Sequence, residues 1–235
     1  MLPCTTQVAC GACVLRPFCL AGAQLAGESS PPALTVNRRR LRGGQFLYAR
    51  GDAQTALFAV RAGFLKSCAP RPGGETQVLG IHIMGDVIGL DALACGVHRS
   101  DAVALNGCEV CELPRAQAER LMESRIEIAR HMRALLSEQI AIAGERMVAL
   151  GSMSARQRVA SCLLDLASRW AARGYSPNEF DLFMSRRELG SYLGLACETV
   201  SRMLSEFCAQ GWISVDGRKV RIRDRLGLQL QFARA

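Results

Sequence analysis

No stretch of about 18 uninterrupted apolar residues occurs in the chain, so hydropathy predicts no membrane-spanning helix. The N-terminus lacks a basic n-region. Cys10, Cys13, Arg16, Pro17 and Cys19 interrupt any apolar h-region, and Ala21-Gly22-Ala23 is a poor cleavage site, so no secretory leader is expected. Histidine is scarce: His82, His98 and His131 are scattered and form no triad with a nucleophile, so the chain is not expected to be an enzyme.

Cysteine is abundant instead. Eleven cysteines are the mark of a secreted disulfide scaffold in a short chain, but in a chain of 235 residues an odd count argues for reduced thiols and a cytoplasmic location. With 49% hydrophobic and 21% charged residues the chain can bury real cores, and its length allows about two domains of roughly 100–200 residues each. The net charge of +8 favours an anionic partner. From Gly151 onward thirteen Lys/Arg face eight Asp/Glu, so that segment holds +5 of the total.

Organisation follows from the changing periodicity. Residues 1–34 lack a repeat and end in the loop-like Gly27-Glu28-Ser29-Ser30-Pro31-Pro32. From Leu41 to Leu113, short apolar runs such as Leu57–Val60 and Val78–Ile81 alternate with glycine-rich breaks, the pattern of an all-β sandwich or barrel. After Pro114 the period becomes helical, with a short helix over 115–123 and a long one over 125–150. Ile128, Met132, Leu135, Leu136, Gln139, Ile140, Ala143, Met147 and Leu150 make the stripe of the long helix. That stripe needs a partner, either its own β domain or a second copy of itself. A further helix over 155–173 opens at Ser154 and closes at Gly174.

Two constellations carry chemistry. Cys10, Cys13 and Cys19 form C-x2-C-x5-C, and thiolates this close select zinc, copper(I) or an iron–sulfur centre. Near the other end, Ser185 and Glu188 form a capping box, Leu189, Tyr192 and Leu193 make an apolar face, and Gly194 turns the chain. A second helix from Cys197 to Ala209 buries Val200, Met203, Leu204 and Phe207. This is a helix-turn-helix, and its second helix is expected in the major groove. Glu198, Thr199, Ser201 and Arg202 stand at its N-terminal half. Arg202 suits guanine O6/N7 and Glu198 suits cytosine N4, although Glu198 and Arg202 also have the spacing of a surface ion pair. Ser185 and Arg186 suit phosphate. Asp216-Gly217 between two β runs predicts a hairpin wing, whose Arg218, Lys219 and Arg221 are placed to reach the DNA backbone.

A β-roll, a long helix and a winged helix-turn-helix, with Gly85–Gly89 and Glu198–Arg202 as the densest matches, resemble the CRP/FNR superfamily of dimeric bacterial regulators. The cysteine spacing and Glu198-x-x-Ser201-Arg202 resemble its FNR branch, as does Arg173–Phe180. That resemblance implies an α+β fold with a cupin-like jelly roll. It divides the chain into a cysteine-bearing segment and linker (1–34), a β-roll sensor (35–123), a dimerisation helix (124–151) and a winged helix-turn-helix (152–235). It further implies a [4Fe–4S] cluster on Cys10, Cys13, Cys19 and Cys111, the last in Cys111-Glu112-Leu113-Pro114. The cluster would stabilise a homodimer under anaerobic conditions, and oxygen would disassemble it. The implied partners are palindromic TTGAT-type half-sites in double-stranded DNA and RNA polymerase, with no membrane.

Three rivals stand beside the cluster. One is zinc on Cys10, Cys13, Cys108 and Cys111, disfavoured because i and i+3 on a strand point to opposite faces. Another is a thiol–disulfide switch using Cys10 and Cys13. The third is a cyclic nucleotide at Arg99-Ser100, disfavoured because Ala143-Gly144 offer a purine no side-chain donor. Cys4 is a candidate substitute ligand, whereas Cys68, Cys95, Cys162, Cys197 and Cys208 show no ligand spacing. Ala143 is neutral where the FNR branch carries an acidic residue, which predicts an apo-protein that dimerises more readily than the branch implies.

Overall fold

The computed structural model describes residues 6–10, 13, 15, 19, 35–71 and 73–231. Cys4 and the linker over 27–32 lie outside them. Packing divides the chain into two compact units, Met1–Ala141 and Ile142–Ala235.

Unit one is a roll of two antiparallel sheets. Its strands are β1 (Thr6–Ala9), β2 (Thr35–Leu41), β3 (Phe46–Tyr48), β4 (Ala56–Ala62), β5 (Leu65–Pro70), β6 (Thr76–His82), β7 (Val87–Ile88), β8 (Asp101–Ala104) and β9 (Cys108–Pro114). Among the described residues, one sheet runs β1-β2-β9-β4-β7 and the other β3-β8-β5-β6. The period-2 alternation of the central strands divides their side chains between two cores. Phe58, Val60, Cys108 and Val110 turn inward with Leu41, Leu65 and Ala104. Leu57 and Leu113 turn to the outer face, where Val36, Val87, Ala118 and Met132 join them. Helix α1 (Arg115–Ser124) supplies Ala118, and the first turns of α2 (Ile126–Ser152) supply Met132. Along α2, Ile128 and Met132 are buried, whereas Ile140, Met147, Val148 and Leu150 stay exposed.

Unit two contains α3 (Ala155–Ala172), β10 (Glu179–Asp181), α4 (Arg186–Leu193), α5 (Cys197–Ala209), β11 (Ile213–Asp216), β12 (Lys219–Ile222) and α6 (Arg225–Gln229). A reciprocal capping box opens α3: Gln157 N–H donates to Ser154 Oγ at 3.3 Å, and Ser154 N–H donates to Gln157 Oε1 at 2.8 Å. β10, β12 and β11 form a small antiparallel sheet in that order.

The α+β architecture is the expected one, and the predicted helices fall within two residues of the observed ends. Three short elements depart from expectation. β1 lies in a segment read as structureless, because an edge strand of four residues gains its stability from pairing with β2 rather than from its own pattern. β10 has three residues and α6 five, too few to show a period.

Candidate functional site

The outer face of β2, β9 and β4 carries the thiol site. Cys111 on β9 lies opposite Arg38 on β2 and Ala59 on β4. Cys10 directly follows β1, whose pairing with β2 delivers it to the same face. Turn hydrogen bonds then fold the segment back, Cys13 N–H to Cys10 C=O at 3.2 Å and Cys19 N–H to Leu15 C=O at 3.2 Å. Cys10, Cys13, Cys19 and Cys111 line one cavity, with Leu15, Val36, Leu57 and Leu113 among its apolar walls. Cys108 is turned away into the inner core.

Charge around this cavity is organised by Glu109, two residues before Cys111 on β9 and so on the same face. Its carboxylate takes Arg61 Nε at 2.9 Å, Arg40 Nε at 3.3 Å and Arg38 Nε at 3.5 Å. Arg61 Nη1 also donates to Cys13 Sγ at 3.6 Å. Burial raises the Cys10 thiol to about 11, helped by its neighbours Cys19, Cys111 and Cys13 and opposed by Arg38. Burial and Cys13 likewise raise Cys111, while Arg61 and Arg38 pull it down. Deprotonating all four thiols in this apolar hole therefore requires a compensating cation. The donor set fits a thiophilic metal centre. Among the described residues, however, no three His, Cys, Asp or Glu side chains stand in metal-binding geometry. The four thiols are neighbours rather than a finished cage.

The helix pair in unit two is finished. Glu188 N–H donates to Ser185 Oγ at 3.2 Å, and Ser185 N–H donates to Glu188 Oε2 at 2.8 Å, closing the predicted capping box at the start of α4. The Ser185 hydroxyl also donates to Glu188 Oε2 at 2.8 Å, so its single proton is committed to the cap. Half-buried Arg186 stands at the first helical position. Gly190 permits a close crossing, since a Cβ there would meet Leu195 C=O at 2.6 Å, and Gly194 ends α4 at φ 65°. Val200, Met203, Leu204 and Phe207 are buried along α5, as its stripe predicts. Each large side chain so buried contributes roughly 1.5–3 kcal/mol to holding the helix in place.

The opposite side of α5 presents exposed Glu198 and Arg202 with half-buried Thr199 and Ser201. Ser201 Oγ donates to Cys197 C=O at 3.0 Å. Among the described residues neither Glu198 nor Arg202 has an ion-pair partner, which leaves both heads available for base edges. The wing is less available. Glu179 on β10 binds Lys219 at 2.9 Å and also pairs with Arg221, and those two cations hold its carboxyl below the usual range. Arg218 lies over the Phe183 ring.

Residues 157–230 match the Crp-like helix-turn-helix domain, and residues 38–125 match the cyclic nucleotide-binding domain. The chain is 37% identical over 221 residues to the transcriptional regulatory protein btr of Bordetella pertussis, and 36% identical over 223 residues to the transcriptional activator protein anr of Pseudomonas aeruginosa. In both cases 94% of this chain and 91% of the relative are covered. The structure of FixK2 from Bradyrhizobium japonicum superposes with a TM-score of 0.78 at 30% identity, covering 84% of this chain and 98% of FixK2. The chain belongs to the CRP/FNR family. It is a DNA-binding transcription regulator and not an enzyme. None of its described helices is long and apolar enough to cross a membrane.

Within this CRP/FNR frame, two further groups matter that local spacing did not reveal. Arg158 on α3 donates to four backbone carbonyls: Leu150 at 2.8 Å, Met153 at 3.0 Å, Leu193 at 3.2 Å and Gly194 at 3.4 Å. It pins the end of α2 to the turn before the DNA-reading helix. The second is Asp91, in the loop that leads to the Arg99-Ser100 pair. There Arg99 N–H and Ser100 Oγ both turn to Asp91.

Proposed function

We propose that this regulator is oxygen-responsive, with Cys10, Cys13, Cys19 and Cys111 as the ligands of a [4Fe–4S] cluster. One observation carries the proposal: the N-terminal triplet and a β-strand cysteine far along the chain line the same cavity. A cluster there supplies the cationic core that lets four thiolates share an apolar site, and its loss to oxygen is the signal that the FNR resemblance implies. The residues do the rest. Cys10, Cys13 and Cys19 tie their segment to Cys111 on β9, while Arg61 and Arg38, held by Glu109, face the thiolates.

Cys10 and Cys19 belong to the same apolar cluster as Met132, Leu135 and Leu136, so ordering the thiol segment bears on the start of α2. Exposed Ile140, Met147 and Leu150 on α2 are the seam of a homodimer, and Ala143 adds no charge to it. Such a dimer sets two α5 helices about 34–36 Å apart on one face of DNA. Glu198, Ser201 and Arg202 then read TTGAT-type half-sites, with Thr199 beside them and Ser185 and Arg186 at the backbone. Promoter-bound dimer works with RNA polymerase in the cytoplasm, as an activator under anaerobic conditions. A full swing from 1:99 to 99:1 requires the cluster to favour the competent state by about 5.5 kcal/mol.

Protein purified without oxygen should be brown, with about four irons per chain, and should bleach in air. Colourless, zinc-loaded protein overturns the proposal. Iron-free protein that still switches with thiol oxidation makes it a disulfide regulator.

A further inference from the structure

The loop between β7 and β8 contains a second polar constellation, remote in sequence from the cysteine triplet. Asp91 sits on a short 3-10 turn, Leu90–Ala92. Its Oδ2 accepts the Arg99 backbone N–H at 2.8 Å and lies 3.4 Å from the Ser100 hydroxyl, and its Oδ1 lies 3.3 Å from His98 Nδ1. The His98 side chain is 1% exposed and stacks on Tyr48, with ring centroids 3.5 Å apart and planes 8° apart. Gln54 Nε2 braces the near end of the loop by donating to Gly89 C=O at 2.7 Å, and His98 N–H ties the far end to Asp52 C=O at 2.9 Å.

Three successive residues, 98–100, thus turn a ring nitrogen, a backbone N–H and a hydroxyl toward one carboxylate. Groups that can donate hydrogen bonds and converge on one carboxylate also suit another oxyanion. Here the anion is covalently part of the chain. An intramolecular carboxylate competes at an effective concentration that a diffusible ligand reaches only at millimolar levels, and its charge repels an incoming phosphate. The same turn presents Leu90 and Leu93 to the apolar cluster that includes Met132, Leu135 and Leu136 of α2.

We infer that Asp91 is a built-in anion: it fills a cradle fit for a phosphate group, bars phosphate-bearing ligands, and holds Leu90 and Leu93 against α2 without any diffusible effector. This accounts for a nucleotide-binding-type domain free to take its signal elsewhere. It does not rest on the cluster, because the contacts lie wholly within the loop and its neighbours.

The test is thermal unfolding of full-length protein in inorganic phosphate against chloride at equal ionic strength. Wild type should show no phosphate-specific shift. Asp91→Ala should unfold at lower temperature and recover about 2–4 °C in phosphate, because a ligand that binds only the folded state stabilises it. Adding Ser100→Ala should remove that recovery. Asp91→Ser, which keeps a polar side chain on the turn, is the second variant should the alanine protein fail to fold. A phosphate-specific shift in wild type as large as in the variants overturns the inference. So does its absence from a variant that folds normally by circular dichroism.

Discussion

The thiol cavity and the DNA-reading helix pair are built on opposite principles. In the helix pair, folding alone supplies the orienting contacts: the Ser185–Glu188 box, the Gly190–Leu195 crossing and the four carbonyls on Arg158. At the cavity, folding brings four thiols around one hollow but leaves Cys10 and Cys111 with raised affinity for protons and, among the described residues, no metal-binding geometry. An output element gains from rigidity, because misplacing a base-reading side chain forfeits its hydrogen bonds. A sensing element gains from being incomplete, because whatever completes it shifts the population. Only a group that binds the completed form more tightly can act as a signal.

The contrast breaks most completely at β9. Cys111→Ala should abolish iron binding and, with it, high-affinity DNA binding. Cys108→Ala, three residues away, removes a buried side chain from the inner core and should cost only about 1 kcal/mol of stability while iron content stays at the wild-type level. Iron analysis on both variants decides the matter. Bleaching by Cys108→Ala with Cys111→Ala still coloured would reverse the assignment of strand faces.

Arg158 sharpens the contrast from the rigid side. Arg158→Met keeps much of the side-chain volume but leaves the four carbonyls without their charged donor. With charge-assisted bonds at about 1.5–3 kcal/mol each and strongly non-additive, the expected loss is about 3 kcal/mol in the stability of unit two, with weakened DNA binding. Iron content should not change. A variant with wild-type DNA affinity would show that the turn is oriented by the packing of α4 and α5 alone.

These two tests also separate what could be read from the sequence from what could not. The N-cap at Ser154, the capping box at Ser185, the Asp216-Gly217 hairpin and the C-x2-C-x5-C spacing are local, with all partners inside a few residues, so pattern alone is enough to place them. Cys111 is different: nothing in its own neighbourhood distinguishes it from Cys108, and only the family resemblance favoured it for the site. Arg61, Glu109, Asp91 and Arg158 carried no signal, because each works through partners brought close by strand register or helix packing. The wing shows the cost. Lys219 and Arg221 look available for DNA in the sequence, but the pairing of β10 with β12 sets Glu179 between them. A three-residue strand has too little periodicity to announce itself, and so its carboxylate was missed.

The finest test lies on the exposed side of α5. Arg202 is exposed and has no ion-pair partner among the described residues, so Arg202→Ala should leave the fold unchanged. If Arg202 reads guanine in the half-site, the loss should be about 1–3 kcal/mol and confined to sequences that carry that base, with the salt dependence nearly preserved. A uniform loss across all sequences, with a shallower salt slope, would make Arg202 a phosphate contact instead. Glu198 would then be left to specify that end of the half-site, and binding titrations against half-sites substituted one base at a time would show which base pairs had lost their preference.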